Sequence, residues 1–210
     1  LVSDGRPDPK GDHRERDATL AYRAARAMED DLRAGITTVR DVNAPGSVAI
    51  DAGHAVEKGV LKGPRVFACG EAITMTGGHF HQMAREADGP DDCRKAAREQ
   101  LRRGADVVKL MACGSILWDE VQAAPELTYE EMRAIVEAAH AKDVPVAAHA
   151  PGKEAMKDAV RAGVDSIEHA NFMDEEAARM MAEQDVYWVP TAKALREFVE
   201  RGPEEGFDKK

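Results

Sequence analysis

The sequence predicts an α/β fold in which parallel strands alternate with helices, and three observations support that reading. A helix, a glycine stop and a short strand rich in β-branched residues recur, at Leu32-Arg33-Ala34-Gly35 before residues 36–41, Leu101-Arg102-Arg103-Gly104 before 106–111, and Val160-Arg161-Ala162-Gly163 before 164–169. Parallel strands need crossovers of a dozen or more residues, usually helical, and the spacing of these units supplies them. The connections are also asymmetric: helix-to-strand joints are tight, whereas residues 70–90 and 112–127, each after a strand, are long.

Taken in order, residues 1–16 mix Asp, Gly, Pro, Lys and Arg without periodicity and read as a loop or arm. Ala21, Ala24, Ala25, Met28 and Leu32 then fall on one helical stripe. Gly35 ends that helix, because glycine takes the left-handed C′ conformation without a Cβ penalty. The β-branched run Ile36-Thr37-Thr38-Val39 opens the strand at 36–41. Lys62-Gly63-Pro64 leads into a strand at 65–69. Met132, Ile135, Val136 and Ala139 form a helical stripe before a strand at 144–149, and Met156, Ala159 and Val160 form one before 164–169. A weaker copy places residues 181–184 before a strand at 186–190. The domain is thus expected over 17–201, with a charged tail at 202–210. Long loops confined to the C-terminal ends of the strands suit a (β/α)8 barrel, and a doubly wound sheet shares that asymmetry at its switch point. No Gly-x-Gly-x-x-Gly opens a helix, which counts against nucleotide binding.

Composition narrows the function. The 210 residues are 43% hydrophobic and 32% charged, an ordinary globular balance. With 29 Lys+Arg against 39 Asp+Glu the net charge is −10, which repels phosphate backbones and anionic lipid, so no nucleic-acid partner is expected. No apolar run approaches a membrane span, and no membrane partner is expected. Cys69, Cys93 and Cys113 are odd in number and widely spaced, so a reducing, cytoplasmic location is the expectation.

Lys109 is the most informative residue. It lies within Val107-Val108-Lys109-Leu110-Met111, a run apolar enough to be buried on both faces of a parallel sheet, where an unpaired ammonium costs several kcal/mol. It must snorkel outward, pair with a carboxylate, act as a Schiff-base amine or become a metal-bridging carbamate. His149 and His169 each end a strand and are each followed by alanine and a helix. Two imidazoles at the same place in consecutive βα units, beside a lysine at the equivalent end of the preceding strand, suit ligands of a divalent metal. The loop at 70–90 carries Thr76-Gly77-Gly78-His79-Phe80-His81. On an extended segment His79 and His81 would point alike, and they are expected to contact substrate. His13, His54 and His140 read as solvated, and no base pairs evidently with Cys113 to make it a nucleophile.

Lys109, His149 and His169 on three successive strands, with Gly35-Ile36-Thr37-Thr38-Val39-Arg40-Asp41 and Thr76-Gly77-Gly78-His79, resemble the amidohydrolase superfamily, in particular the branch of prolidase-like dipeptidases and imidazolonepropionase relatives. The resemblance runs from about Ala18 to Ala194. It implies a partial (β/α)8 TIM-type barrel comprising the second to seventh strands. It further implies a carboxylated Lys109 bridging one or two zinc ions, His149 and His169 as further ligands, and a Thr-Gly-Gly-His segment lining the pocket. The implied activity is hydrolysis of amide or peptide-like C–N bonds in a small molecule or dipeptide. The family's first-strand His-x-His and eighth-strand aspartate have no counterpart here, and Leu1-Val2-Ser3-Asp4-Gly5 is similar to the stretch that follows that His-x-His, so an internal piece of a longer protein lacking the small β-domain is expected. Ala150-Pro151-Gly152 stands where some dipeptidase relatives carry a substrate-contacting tyrosine, so the resemblance stops short of that contact. Two other readings stand beside it: a Schiff-base lyase using Lys109, and an inactive truncated barrel that forms a homo-oligomer through its open strand edges.

Overall fold

A computed structural model describes residues 15–115 and 123–193, together with Arg196 and Glu200. Most of the expected arm and all of the tail at 202–210 lie outside those residues; Glu15 and Arg16 precede the first helix.

Helix α1 (Asp17–Arg33) buries Leu20, Ala24 and Met28. The expected stripe is corrected at its edges: Ala21 is exposed and Leu32 is 37% exposed. Alanine buries little apolar area, so an alanine-rich helix does not fix its own inward face; Leu20 and Met28 decide it. The chain continues through β1 (Thr38–Asp41), α2 (Val48–Glu57) and β2 (Arg65–Ala68). Next come β3 (Ile73–Thr74), a one-turn 3-10 helix at His81–Met83 and β4 (Arg85–Glu86), all within the stretch read as loop. Two-residue strands are too short to show alternation, and tertiary pairing of Ile73 with Leu110 creates β3.

Helix α3 (Pro90–Arg103) and strand β5 (Val108–Met111) follow, then α4 (Tyr129–His140) and β6 (Val146–His149), α5 (Lys153–Ala162) and β7 (Ser166–Glu168), and α6 (Glu175–Glu183) and β8 (Tyr187–Val189). All six expected strands form, each trimmed at one or both ends. Gly104 and Gly163 cap α3 and α5 at φ +96° and +94°, the glycine stops read from the repeat. At α4 the Thr128 side chain accepts from the Glu131 N–H, and the Glu131 carboxylate accepts from the Thr128 N–H, so two free helix-end donors are satisfied reciprocally.

All ladders between named strands are parallel. One sheet has the order β4-β3-β5-β6-β7-β8, and β1 pairs with β2. The two parts join where the Asp106 N–H donates to the Ala68 carbonyl at 2.9 Å and the Ala68 N–H to the Asp106 carboxylate at 3.0 Å. Arg40 on β1 donates to Glu168 at 2.7 Å and to Ser166 at 3.1 Å, both on β7. In a flat sheet, four strand spacings of about 4.8 Å would hold β1 and β7 about 19 Å apart. The row of strands therefore curves round a common interior, which selects the partial barrel over the open doubly wound sheet.

The alternation of strand side chains divides that barrel into two faces. Val108, Leu110, Val146, Ala148 and Ile167 pack outward in one core with Met132, Ile135, Met156 and Val160 of the helices. Fully burying each large apolar side chain there contributes about 1.5–3 kcal/mol. A second core joins Leu20, Met28, Val48, Ile50 and Val66. The alternate positions Lys109, Met111, Ala147, His149, Ser166 and Glu168 face the interior. Among the described residues no helix is long and apolar enough to cross a membrane.

Candidate active site

Lys109 is 3% exposed, and its Nζ has no hydrogen-bond partner among the described residues. Burial pushes its pKa down from 10.5 to about 8, against the pull of Glu168 and Cys69 and with the help of the nearby Arg40 charge. Register places it opposite Ala147, whereas His149 lies opposite Met111 and Glu168. The expectation of equivalent strand ends is thus corrected: at about 3.3 Å per residue Lys109 starts roughly 6.6 Å below His149. Its charge still reaches the histidines, depressing the pKa of both His149 and His169.

Three imidazoles gather above the lysine. The His149 ring stacks on His79 at 4.3 Å between centroids and meets His169 edge-on at 4.8 Å. His149 is buried and its pKa falls well below the usual histidine value, first by desolvation and then through Lys109 and the other rings. Burial lowers His169 to about 4. Near neutral pH both rings are therefore uncharged and keep a lone pair. The Gly114 carbonyl, 3.4 Å from His149 Nε2, can only accept, which puts the proton on Nε2 and leaves the lone pair on Nδ1.

A strictly alternating strand would turn the residue after inward-facing Glu168 outward. His169 escapes this with φ +74°, followed by Ala170 at +53°, left-handed values that a side chain adopts only where its surroundings enforce them. Strand β8 supplies that enforcement: the His169 N–H donates to the Val189 carbonyl at 2.9 Å, and Trp188 Nε1–H donates to the His169 carbonyl at 3.1 Å.

His79 is 3% exposed, and its backbone N–H donates to both oxygens of Glu126, at 3.0 and 2.9 Å. Thr74 Oγ1 donates to the same carboxylate at 3.2 Å. A Cβ on Gly78 would lie 2.7 Å from Glu126 Oε2, so only glycine lets the loop approach this closely. Phe80 at φ +55° then breaks the extended path assumed for His79-x-His81, and His81 begins the 3-10 turn. His79 thus joins His149 in the ring stack, while His81 stands beyond a turn. Replacing Glu126 with alanine is expected to strand the buried His79 N–H and lower stability by about 1–3 kcal/mol in urea titration. An unchanged midpoint would count against the clamp.

Sequence reasoning missed Glu126, which lies in the long loop with no spacing to mark it, and the Arg40–Glu168 pair across the barrel. His140 is exposed, as expected, and its Nε2 also contacts Asp165 at 2.8 Å; Asp165 accepts from the Val146 N–H at 2.7 Å, fixing the start of β6. The three cysteines are buried, and Cys113 Sγ accepts from the Gly152 N–H at 3.5 Å. Burial pushes the Cys69 thiol well up and the Cys93 thiol up to about 12, so neither is an activated nucleophile.

Among the described residues no three His, Cys, Asp or Glu side chains are arranged to hold a metal ion. The donor chemistry on this face is a buried amine with no partner among the described residues, below neutral imidazoles that feel its charge, and this set would fit a divalent cation once the amine carried an anionic group.

Known proteins are similar to this chain in sequence and in fold. A curated relative, ochratoxinase from Aspergillus niger, is 31% identical over 208 residues, covering 87% of this chain and 43% of that protein. The chain therefore spans less than half the length of that relative. The solved structure of a Xaa-Pro dipeptidase with methionine bound in its active site superposes with a TM-score of 0.85 at 35% identity, over 100% of this chain and 54% of the other. A prolidase complexed with N-methylphosphonate-L-proline gives 0.84 at 33% identity, over 93% and 52%. The model of the amidohydrolase family matches residues 3–207. With that match spanning almost every residue of a barrel already recognisable from its strands, the chain belongs to the amidohydrolase family.

Proposed function

We propose that the protein is a metal-dependent hydrolase of amide or peptide-like C–N bonds in a small molecule or dipeptide. The observation that carries this reading is Lys109, a buried amine of lowered pKa with no hydrogen-bond partner among the described residues, whose charge acts on both His149 and His169. Relatives named for ochratoxin and Xaa-Pro substrates support the bond type.

Lys109, His149 and His169 would hold the metal, one or two ions, and a nitrogen-rich set with one carboxylate-like oxygen donor favours zinc. When bound, such an ion polarises the scissile carbonyl and lowers the pKa of water toward neutrality. The low pKa of Lys109 provides the neutral amine that adds carbon dioxide, forming a carbamate and releasing one proton. That conversion replaces a destabilised cation with an anionic donor. Glu168 is already held by Arg40 and by the Ser166 hydroxyl at 2.9 Å, so it does not neutralise the lysine by a direct hydrogen bond. His79, fixed by Glu126, presents its ring beside His149 to orient substrate. His81, whose Nδ1 is buried without a partner among the described residues, is a second substrate contact.

The test is hydrolysis of N-acyl amino acids and Xaa-Pro dipeptides by zinc-loaded protein, followed as release of the free amino acid. Chelator-sensitive release is expected. Turnover that survives chelation with borohydride-trapped substrate on Lys109 would instead establish a Schiff-base lyase. A folded, metal-free oligomer without turnover would establish an inactive barrel.

A further inference from the structure

We propose that Thr191 is a positioning residue that locks His169 in the tautomer protonated on Nδ1, leaving the Nε2 lone pair free; as a statement about a ligand, this rests on the metal-binding reading above. The assignment comes from a short chain of donors and acceptors whose direction is set by the Pro190 carbonyl, the one member that cannot donate. The Thr191 hydroxyl has a single hydrogen and lies 2.8 Å from the Pro190 carbonyl, which can only accept. That hydrogen is therefore committed, and the oxygen facing His169 Nδ1 at 2.6 Å accepts. A neutral imidazole has one N–H, so donation from Nδ1 strips Nε2 of its proton.

The backbone adds an independent observation. Thr191 is β-branched yet sits at φ +47°, a conformation such residues rarely take. It follows β8 after Pro190 alone, and β8 grips the His169 backbone through Val189 and Trp188. The left-handed turn at Thr191 returns the chain toward the ring that β8 has just anchored, so the strain brings the hydroxyl to Nδ1. His149 carries the opposite tautomer through Gly114. The two rings thus offer different nitrogens, Nδ1 on one and Nε2 on the other.

The test reads ring protonation directly, by 15N NMR of the histidine nitrogens in zinc-free protein at neutral pH. Thr191→Val keeps the β-branch and removes the hydroxyl, and Thr191→Ser keeps the hydroxyl. Wild type and Thr191→Ser are expected to show a protonated Nδ1 on His169. Thr191→Val is expected to shift the proton wholly or partly to Nε2, with His149 unchanged as a check on the fold. Zinc affinity by calorimetric titration should fall about tenfold or more in Thr191→Val and recover in Thr191→Ser. A retained Nδ1 proton in Thr191→Val, or zinc affinity within twofold of wild type, would overturn the proposal. So would a proton on Nε2 in the wild-type protein, which needs no variant to fold. If wild type takes up no zinc while the tautomers behave as expected, the metal reading fails and the lock stands.

Discussion

Replacing Lys109 with methionine is expected to stabilise the metal-free chain by about 2–3 kcal/mol at pH 7 while abolishing hydrolysis in the zinc-loaded protein. The displacement of its pKa from 10.5 to about 8 is worth about 3 kcal/mol at 1.36 kcal/mol per unit. Because the folded value is the lower one, the unfolded chain holds the proton more tightly between pH 8 and 10.5, and stability rises with pH across that window. At pH 7 both states are protonated, so the whole penalty is present. Methionine keeps much of the stem and removes the charge, and buried charges replaced by apolar groups of similar volume often gain stability. Urea titration of both proteins from pH 7 to 10.5 should show a higher midpoint for Lys109→Met and no rise with pH arising from this group. A lower midpoint would mean that the amine is satisfied in the folded protein. Zinc content should fall in the same variant, since a thioether cannot carry a carbamate.

Acidification has the second large effect. His169 falls from 6.5 to about 4 on folding, and His149 moves in the same direction. Here the unfolded chain takes up protons first as pH falls. The contribution to stability is complete above pH 6.5 and lost progressively down to about 4. For His169 alone this amounts to about 2–3 kcal/mol once the partial exposure of its ring is allowed for. Urea midpoints of the metal-free protein should decline between pH 6.5 and 4.5, and the decline should flatten in a His149→Asn/His169→Asn variant. An equal decline in that variant would assign the acid sensitivity to carboxylates.

Lys109 and His149 stand out in the sequence because each is a polar residue in a short apolar strand, and His169 because it ends a run of the same form, one residue past β7. Their relative heights were not legible: strands that end on similar motifs are staggered in the sheet, so Lys109 pairs with Ala147 rather than standing level with His149. His169 reaches the interior only through a left-handed backbone, which no spacing pattern encodes. Glu126, Trp188 and Thr191 act from segments far from, or trailing, the residues they hold, so local sequence carries no trace of their partners. The His-x-His pair looked symmetrical because an extended path was assumed, and Phe80 bends that path.

Val108 and Leu110 anchor the surrounding helices on either side of Lys109 in the chain, so cohesion and chemistry are written on alternate letters of one short word. Mutational drift can rework the outer letters, and the helices that read them, without touching the inner ones. A lineage built this way can diverge to about one-third identity while preserving its architecture, and the solved structures of an ochratoxinase and of a Xaa-Pro dipeptidase share that outline.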